Sequence, residues 1–422
     1  MIMDGSDERA GRVRNAGRLT PSGGRIGALI ASAGPRRLLD MAERKLVHGR
    51  LTLRLPDGRE RTFVGDDTGP DAVLDIHRWR TARRLMLGGG VGFARAYFDG
   101  DWDSPDVVKV IELAALNRHT MAGDLRGAPL LRALAHVRHA LRANSRGGSR
   151  RNISFHYDLG NDFYRHWLDP SMTYSSAIFA PGDNSLESAQ RRKYRRLLDL
   201  LDARPDDHIL EIGCGWGGFA ELAAKERGAR VTGITLSREQ HDYACRRIAE
   251  AGLADRVSIE LCDYRDVAGR FDHVASIEMF EAVGERYWQP FFSKIRDVLT
   301  PGGRAALQII TIDHELFPHY RRGADFIQTY IFPGGMLPSL KVLQREVGRV
   351  GLVWREAAGF GQHYARTLGE WRGRFEDAWR RRVLPSGFDE LFHRIWTYYL
   401  AYCEGGFRGG SIDVVQVGLA RD

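Results

Sequence analysis

The sequence is poor in cysteine, and its few cysteines form no recognisable framework. Four cysteines occur among 422 residues, no two of them form a CxxC pair, and no histidine cluster has the spacing of a zinc site. A disulfide-stapled secreted scaffold and a structural zinc module are therefore excluded, and we expect no metal site. The four cysteines are Cys214, Cys245, Cys262 and Cys403.

Long apolar segments are also missing. No run of 18 or more apolar residues is present, so we expect no transmembrane helix. The first 25 residues contain five arginines among glycine, serine and proline, without the apolar stretch of a signal peptide. We interpret residues 1–39 as the flexible, basic N-terminus of a cytoplasmic protein.

Basic residues outnumber acidic ones. Lysine and arginine total 62, aspartate and glutamate total 54, and the formal net charge is +8. Such an excess favours an anionic partner, either nucleic acid or an anionic membrane surface. The charge alone does not distinguish between these two partners.

The length and a change of pattern near residue 150 predict two domains, because one hydrophobic core rarely grows to this size. Residues 40–143 are the predicted N-terminal α+β domain. Residues 144–151, a basic stretch with glycine and serine, are the predicted linker. Residues 152–422 are the predicted second domain.

Local patterns predict the elements of the N-terminal domain. Residues 51–55 and 61–64 flank the turn at residues 56–58 and predict a β-hairpin. Helical segments follow, interrupted by glycines at 88–90. Residues 130–142 carry an apolar stripe at helical spacing with basic residues beside it. This helix either lies on anionic lipid or packs on the core with a solvated charged face.

Strands and helices alternate from residue 185 onward. Such alternation predicts a parallel sheet and an α/β fold. Predicted helices cover residues 219–227 and 237–251. The predicted strands are residues 208–212, 230–234, 256–261, 271–277 and 305–310.

A glycine-rich turn follows the first of these strands. Glu211 precedes Gly213, Gly215 and Gly217, which gives the spacing GxGxGG in place of the GxGxxG of dinucleotide folds. Glycines let the backbone approach a ligand closely, and the helix N-terminus behind them favours the negative end of a cofactor. This variant is typical of methyltransferases.

Polar residues after the next two strands suit other parts of a nucleotide-type cofactor. Thr235 and Gln240 follow the second strand and are candidates to bind ribose hydroxyls or the amino-acid end. Asp263 follows the third strand. It either accepts a hydrogen bond from an adenine amino group or serves as a turn and cap residue.

Short motifs across residues 150–420 carry a family resemblance. They are Phe155-His156-Tyr157-Asp158, Gly160-Asn161, Trp167-Leu168-Asp169-Pro170, Thr173-Tyr174-Ser175, Gly213 to Gly218, Thr235-Leu236-Ser237 with Gln240, Met279-Phe280-Glu281, Tyr330 to Gly335, and Tyr398-Tyr399-Leu400. Together they resemble the cyclopropane-fatty-acyl-phospholipid synthase and mycolic acid cyclopropane synthase family. The resemblance implies a Rossmann-like class I methyltransferase domain, S-adenosylmethionine as cofactor, and unsaturated phospholipid acyl chains as substrate.

The resemblance also implies cofactor-pocket residues. The positions that it assigns to this pocket are Tyr174, Ser175, Gly213, Gly215, Thr235, Gln240, Tyr264 and Arg265. Together with Glu211, Gly217 and Asp263 from the loop and strand patterns, these are the candidate cofactor-binding residues.

Adding a one-carbon unit to an alkene calls for a dry aromatic pocket and a base. Methyl transfer leaves a carbocation, which aromatic faces and nearby negative charge stabilise. Proton loss from the new methyl gives a cyclopropane, and loss from an adjacent carbon gives a branched chain. Aromatic candidates for the pocket, with core packing as the alternative for each, are Tyr330, Phe332, Tyr364, Trp396, Tyr398, Tyr399 and Tyr402.

The family uses bicarbonate as the base, held by a Cys, a Glu, a His and a Tyr. Glu281 and Tyr364 match two of these holders, whereas Ser176 and Gln308 stand in place of the Cys and the His. Ser and Gln still donate hydrogen bonds to an oxyanion but do not titrate near neutral pH. The resemblance implies a modification of the cyclopropane synthase type, and the departure at Ser176 and Gln308 makes methyl or methylene branching the alternative.

Cys403 has two interpretations. It stands where members of the family carry a cysteine once proposed as catalytic. A nucleophilic thiolate would need a lowered pKa, and the neighbouring Glu404 would act in the opposite direction. The alternative is a cysteine that only lines the pocket.

Two rival functions come from other classes. A lipid-binding protein with a degenerate site would lack the intact glycine loop. A nucleic-acid methyltransferase would carry an Asn/Asp-Pro-Pro-aromatic motif after the fourth strand, where this chain has Glu278-Met-Phe-Glu281. We therefore expect no nucleic-acid partner, and instead a cytoplasmic, peripherally membrane-associated enzyme on an anionic surface that forms a homodimer.

Overall fold

The computed structural model describes residues 38–125, 159–183 and 185–422. We call residues 38–125 the N-terminal unit and the remainder the C-terminal unit. Within these ranges, no helix combines the length and hydropathy needed to cross a membrane. The predicted helix at 130–142, the linker at 144–151, the motif at 155–158 and most of the predicted N-terminal tail lie outside the described residues.

A four-stranded sheet forms the centre of the N-terminal unit. Its strands are β1 (His48–Arg54), β2 (Glu60–Val64), β3 (Asp67–Ile76) and β4 (Trp102–Asp103), in the order β2-β1-β3-β4. Strands β1 and β2 pair antiparallel, which confirms the predicted hairpin, and β1 pairs parallel with β3.

Helices cover this sheet. Residues 38–45 are helical, and three further helices are α1 (Arg80–Phe98), α2 (Val107–Leu116) and α3 (Arg118–Leu125). The glycine run kinks α1 at Gly89, where φ is 55° and ψ is −143°, and the helix continues on both sides. A backbone with these angles suits glycine because other residues meet steric clashes there.

A seven-stranded sheet organises the C-terminal unit. Its strands are β5 (His208–Ile212), β6 (Arg230–Thr235), β7 (Val257–Leu261), β8 (Phe271–Ile277), β9 (Leu299–Ile312), β10 (Val353–Gly359) and β11 (Ile412–Ala420). The order is β10-β11-β9-β8-β5-β6-β7, and β11 runs antiparallel to both of its neighbours. This is a class I methyltransferase sheet, as expected.

The helices of the C-terminal unit lie between and around these strands. They are α4 (Asn161–Arg165), α5 (Leu186–Leu201), α6 (Gly218–Arg227), α7 (Arg238–Glu250), α8 (Trp288–Val298), α9 (Phe317–Tyr320), α10 (Leu340–Arg349), α11 (Gly361–Ala378) and α12 (Glu390–Arg408). Helices α6 and α7 fall where the sequence predicts them. The alternation of strands and helices from β5 to β9 places the ends of several parallel strands at one edge, where α/β proteins bind ligands.

The two units share a close-packed interface. Helix α12 lies against α2, and a Cβ atom at Gly405 would come within 2.7 Å of Ile111 Cβ. Arg118 Nη2 binds Asp313 across the interface at 2.8 Å. The Arg394 guanidinium lies 4.0 Å from the ring centroid of Tyr97. One hydrophobic core cluster contains residues of both units, so the units are joined by packing as well as by the chain.

Candidate active site

A cavity of about 1540 Å³ opens at the carboxyl ends of β5, β6, β8 and β9. Its wall contains residues that follow directly on these strands, including Gly213, Leu236 and Glu278. Ligands of doubly wound α/β proteins bind in such a crevice. The volume exceeds the roughly 300–1,000 Å³ of a typical small-molecule site, so the cavity has room for a cofactor and a substrate together.

The glycine loop has the conformation that the sequence predicts. Gly213, Gly215 and Gly217 all have positive φ, at 82°, 53° and 81°. A Cβ atom at Gly213 would lie 2.7 Å from Met279 Cγ, whereas the space above Gly215 is open for 4 Å. The loop therefore leaves a cradle at the N-terminus of α6.

Glu211 lies beneath this loop and faces the cavity. It is 2% exposed, and within the described residues its Oε2 atom has no hydrogen-bond partner. Burial raises its pKa to about 8, and the nearby Lys193 acts in the opposite direction. A buried, unpartnered carboxyl oxygen beside a glycine cradle suits a polar or cationic ligand group.

Thr235 and Gln240 form a connected pair on the cavity wall. The Thr235 hydroxyl donates to Gln240 Oε1 at 3.0 Å and accepts from the Ser237 backbone N–H at 3.1 Å. These bonds fix the amide of Gln240, so that its NH₂ group is left to donate to a ligand.

The three residues Asp263, Tyr264 and Arg265 differ in their position relative to the cavity. Tyr264 lines the cavity, whereas Asp263 and Arg265 are not part of its wall. Asp263 caps the turn and accepts from the Arg265 side chain at 2.8 and 2.6 Å. The geometry supports the cap interpretation of Asp263, and a direct cofactor contact by either residue stays a prediction.

Tyr174 and Ser175 both line the cavity and have buried partners. The hydroxyls of Tyr174 and Tyr399 lie 2.6 Å apart. The Ser175 hydroxyl accepts from Lys193 Nζ at 2.6 Å. Lys193 is fully buried, and burial lowers its pKa to about 7. No sequence motif pointed to this lysine.

Glu278 lies at the centre of the site and is absent from the site residues predicted from the sequence. Its Oε1 accepts from the Ser176 backbone N–H at 2.8 Å and from Gln308 Nε2 at 2.7 Å, and its Oε2 accepts from the Tyr364 hydroxyl at 2.6 Å. Its φ is 49°, a conformation that is uncommon outside glycine and concentrates at functional sites. Three of the four residues predicted to hold bicarbonate therefore contact a carboxylate of the protein itself. Ser176 does so through its backbone N–H, and its hydroxyl donates to the Ala177 carbonyl instead.

Gln308 is oriented by a second glutamine. Gln416 Nε2 donates to Gln308 Oε1 at 2.9 Å, so the NH₂ group of Gln308 points to Glu278. Gln308 and Ser176 are fully buried and are not part of the cavity wall, whereas Glu278 is. Glu278 thus stands between these two donors and the cavity.

Glu281 occupies a neighbouring position on the wall. Its Oε1 accepts from the Ile310 backbone N–H at 2.5 Å, and its buried Oε2 has no partner among the described residues. Burial, reinforced by the charge of Glu278, raises the pKa of Glu281 to about 8. Two adjacent carboxyl groups rarely ionise together, so the raised pKa favours the protonated form of Glu281.

The charge on Glu278 has more support. Burial raises the pKa of Glu278 above its usual value, and the Tyr364 hydroxyl, Lys193 and the donors at Ser176 and Gln308 limit that rise. Three hydrogen bonds to the charged form favour a carboxylate. Of the two carboxyl groups, Glu278 therefore has the surroundings that better support a negative charge.

Aromatic residues surround this pair. Tyr330, Phe332, Tyr364, Tyr398, Tyr399 and Tyr402 line the cavity. Trp396 instead packs between Phe163 and Phe392, which is the core-packing alternative for that residue. Cys403 lines the cavity, and burial raises the pKa of its thiol. A neutral thiol favours the pocket-lining interpretation.

Comparisons with known proteins agree with this geometry. The family described as mycolic acid cyclopropane synthetase matches residues 144–417. The tuberculostearic acid methyltransferase UfaA1 of Mycobacterium tuberculosis is 41% identical over 405 residues, which are 94% of this chain and 92% of that protein. The cyclopropane-fatty-acyl-phospholipid synthase of Escherichia coli K12 is 35% identical over 80% of this chain and 85% of that protein.

A solved structure is similar as well. The mycolic acid cyclopropane synthase CmaA1, complexed with SAH and CTAB, has a TM-score of 0.60 and 31% sequence identity. The match covers 64% of this chain and 98% of that protein.

Proposed function

The chain belongs to the mycolic acid cyclopropane synthetase family and is an S-adenosylmethionine-dependent fatty acid methyltransferase, and from this premise we propose that it makes methylene-branched chains from unsaturated phospholipid acyl chains. The observation that carries the proposal is the position of Glu278 at the point where Ser176, Gln308 and Tyr364 meet. The cyclopropane outcome, which the sequence favours first, has less support than this alternative.

The cofactor would be held by the cradle already described. Gly213 and Gly215 leave room for it, Glu211 has a free buried oxygen for its amino-acid end, and Thr235 and Gln240 suit its ribose. The chemistry that S-adenosylmethionine supplies when bound is an electrophilic methyl group, whose transfer to one alkene carbon leaves positive charge on the neighbouring carbon. The residues of this chain then have to stabilise that charge and remove a proton.

Glu278 is the base of this proposal. A carboxylate beside the cavity stabilises a nearby cation and can accept a proton from it. Ser176, Gln308 and Tyr364 supply to Glu278 the donors that would otherwise hold an external anion. An external bicarbonate is therefore not required in this chain, and the expected bicarbonate ligand has no support of its own.

Formation of a methylene branch requires two changes in the acyl chain. A hydride moves with its electron pair from the methyl-bearing carbon to the cationic carbon, which places the charge beside the methyl group. Because the hydride has moved first, proton loss from the methyl group no longer closes a ring. Glu278 takes a proton from that methyl group, and the electrons of the broken C–H bond form the C=CH₂ double bond of the branch. Glu278 ends as a carboxylic acid. Saturation to a methyl branch requires a separate hydride-donating reductase.

The surroundings protect the cation until the proton is lost. Tyr364, Tyr398 and Tyr399 are each less than 10% exposed and line the cavity. Their rings offer electron-rich faces to a cation, and their burial keeps water from attacking it. The hydroxyl pair of Tyr174 and Tyr399 fixes two of these rings.

A relative supports the branched outcome. The relative that is 41% identical is a tuberculostearic acid methyltransferase, and tuberculostearic acid is methyl-branched. Phospholipid as the carrier of the acyl chain follows the name of the Escherichia coli relative. The division at residues 144–151, the anionic membrane surface and the homodimer remain predictions from the sequence.

Product analysis tests the proposal. The protein is produced in a bacterium that contains monounsaturated phospholipids and receives methyl-labelled methionine. Methylene-branched and cyclopropane chains have equal mass, so proton NMR is used to separate the olefinic protons of a =CH₂ branch from cyclopropane ring protons. We expect labelled =CH₂ groups. A cyclopropane as the sole labelled product overturns the branching proposal, and an absence of labelled acyl chains overturns the choice of substrate.

A further inference from the structure

The cavity of the active site extends beyond the C-terminal unit. Its wall continues across α12, through Tyr402, Gly406 and Phe407, into the N-terminal unit. The two parts form one continuous space. N-terminal residues on the wall, from helix 38–45, β1, β3, α1 and α2, include Met41, Leu51, Leu74, Leu87, Val110 and Leu113.

This part of the wall is apolar. Among the described residues, Arg95 is the only lysine or arginine that lines the cavity. Arg95 is exposed, and its Nε donates to the Tyr330 hydroxyl at 2.5 Å. A space with aliphatic walls and a single exposed cation at its edge suits a hydrocarbon chain with an anionic group at one end.

The glycine run of α1 keeps the space open. Gly88 and Gly90 line the cavity, and a Cβ atom at either position would meet no other atom within 4 Å. Helix interiors disfavour glycine relative to alanine. Two glycines that face open space beside the kink at Gly89 therefore cost the helix stability without improving any packing contact.

The compartment is part of a fixed interface. Gly405 of α12 and Gly409 directly after this helix allow contact with α2. Added Cβ atoms there would lie 2.7 and 2.5 Å from side-chain atoms of Ile111 and Ala115. The Arg118–Asp313 ion pair adds a second contact between the units. The same helix, α12, thus carries wall residues of the reaction site and anchors the N-terminal wall.

We propose that the space between α1, α2 and the N-terminal sheet is an acyl-chain compartment, which binds a hydrocarbon chain of the lipid substrate while the double bond lies beside Glu278. This inference rests on the proposed function in one respect, that the substrate is an acyl lipid. The N-terminal unit would then bind a hydrocarbon chain of the lipid directly, in addition to any role at the membrane surface. The chain bound there belongs either to the reacting acyl group or to the second acyl group of the same lipid.

Photo-crosslinking locates the chain without any turnover. The full-length protein is mixed with vesicles of a phosphatidylglycerol that carries a diazirine near the methyl end of one acyl chain. After irradiation and digestion, we expect labelled peptides from residues 38–53, 85–93 or 107–116. Labelling that is confined to the C-terminal unit, or absent from these segments, overturns the compartment. A positive result together with a cyclopropane product would leave the compartment intact and remove the branching proposal.

Gly88→Leu tests the compartment by filling it. Leucine has a higher helix propensity than glycine, so the variant is expected to fold. We expect turnover of lipids with long acyl chains to fall about tenfold, with recovery on shorter chains, because methylene-sized mismatches in an apolar pocket have effects of this order. Gly373→Leu is the matched control, since Gly373 is exposed in α11 and its Cβ would also meet no atom within 4 Å.

A chain-length series then identifies which acyl chain is bound. Lipids are varied either in the carbons beyond the double bond or in the second acyl group. If the turnover of Gly88→Leu recovers when the carbons beyond the double bond are shortened, the compartment binds the reacting chain. If its turnover recovers when the second acyl group is shortened, the compartment binds that other chain. Equal turnover of Gly88→Leu and Gly373→Leu on all lipids, with equal melting temperatures, overturns the proposal.

Discussion

Gln308 Nε2 lies 2.7 Å from Glu278 Oε1, and this amide can only donate there because its oxygen already accepts from Gln416. The neutral glutamine therefore supports a negative charge on Glu278 without carrying a charge of its own. A histidine in its place would add a titration near neutral pH. The Gln308–Glu278 pair thus makes the charge of the base depend on hydrogen bonds inside the protein.

Removal of the Glu278 carboxylate should lower kcat while leaving substrate affinity nearly unchanged. In Glu278→Ala we expect a loss of about 10²–10⁴-fold, the usual contribution of a general base. The variant leaves donors from Ser176, Gln308 and Tyr364 pointing into an emptied space. Added bicarbonate should therefore restore part of its activity and leave the wild-type rate unchanged. A bicarbonate requirement in the wild type would contradict the role given to Glu278.

Gly215→Asp should abolish cofactor binding without unfolding the protein. Aspartate tolerates the left-handed conformation better than most residues, and a Cβ atom at Gly215 meets nothing within 4 Å. Its carboxylate would occupy the cradle and repel the cofactor carboxylate. Gly215→Asn is the matched control, because it has the same size without the charge and should bind more tightly. Calorimetry that finds unchanged S-adenosylmethionine affinity in Gly215→Asp would refute the loop assignment.

Cys403→Ala should keep most of the activity. Burial raises the pKa of the Cys403 thiol, so a thiolate nucleophile is not available near neutral pH. The variant leaves a small cavity and should affect stability more than kcat. Steady-state kinetics and melting temperature separate these effects. A complete loss of kcat in a stable variant would restore the nucleophile interpretation.

Glu281→Gln should change how stability depends on pH. The folded state raises the pKa of Glu281 from 4.5 to about 8. The protonated side chain therefore contributes fully to the free energy of unfolding below pH 4.5, and this contribution is lost as the pH rises through 8. Glutamine resembles the protonated acid and does not titrate. Between pH 5 and 8, the melting temperature of the variant should therefore rise relative to that of the wild type. Glu250→Gln, an exposed change in α7, should show no such trend.

Binding to anionic vesicles should weaken with added salt if the basic residues near 150 contact lipid. The expectation is drawn from Arg146, Arg150 and Arg151 in the sequence. Replacing these three arginines by serine should reduce co-sedimentation. The same replacement at 380–382, where three exposed arginines lie in the C-terminal unit, removes equal charge elsewhere and serves as control. Vesicle binding that does not weaken with added salt would contradict an electrostatic contact between these arginines and anionic lipid.

The sequence predicts the parts of the fold that have short-range signals. The first five strands of the large sheet and the glycine loop follow from apolar runs and from residues that need positive φ. Strands β10 and β11 were missed. The apolar run of β11 is buried on both faces, so it lacks the alternation that marks a half-buried strand. Its antiparallel position between β9 and β10 depends on tertiary pairing alone.

The centre of the site was only partly accessible from the sequence. Ser176, Gln308 and Tyr364 could be named because each occupies a motif position, but the group that they bind could not. Glu278 lies three residues before Glu281, and spacing does not reveal which carboxylate turns toward the donors. Its left-handed φ of 49° directs the side chain, and no local sequence pattern encodes that conformation for a glutamate.

The place of β11 in the sheet has a consequence for synthesis on the ribosome. It follows the other six strands in the chain but lies between β9 and β10 in space, and it carries Gln416 opposite Gln308. A nascent chain that has not reached residue 416 has a gap in its sheet and a Gln308 amide with no fixed direction. The donor arrangement at Glu278 is therefore complete only after translation has passed this strand.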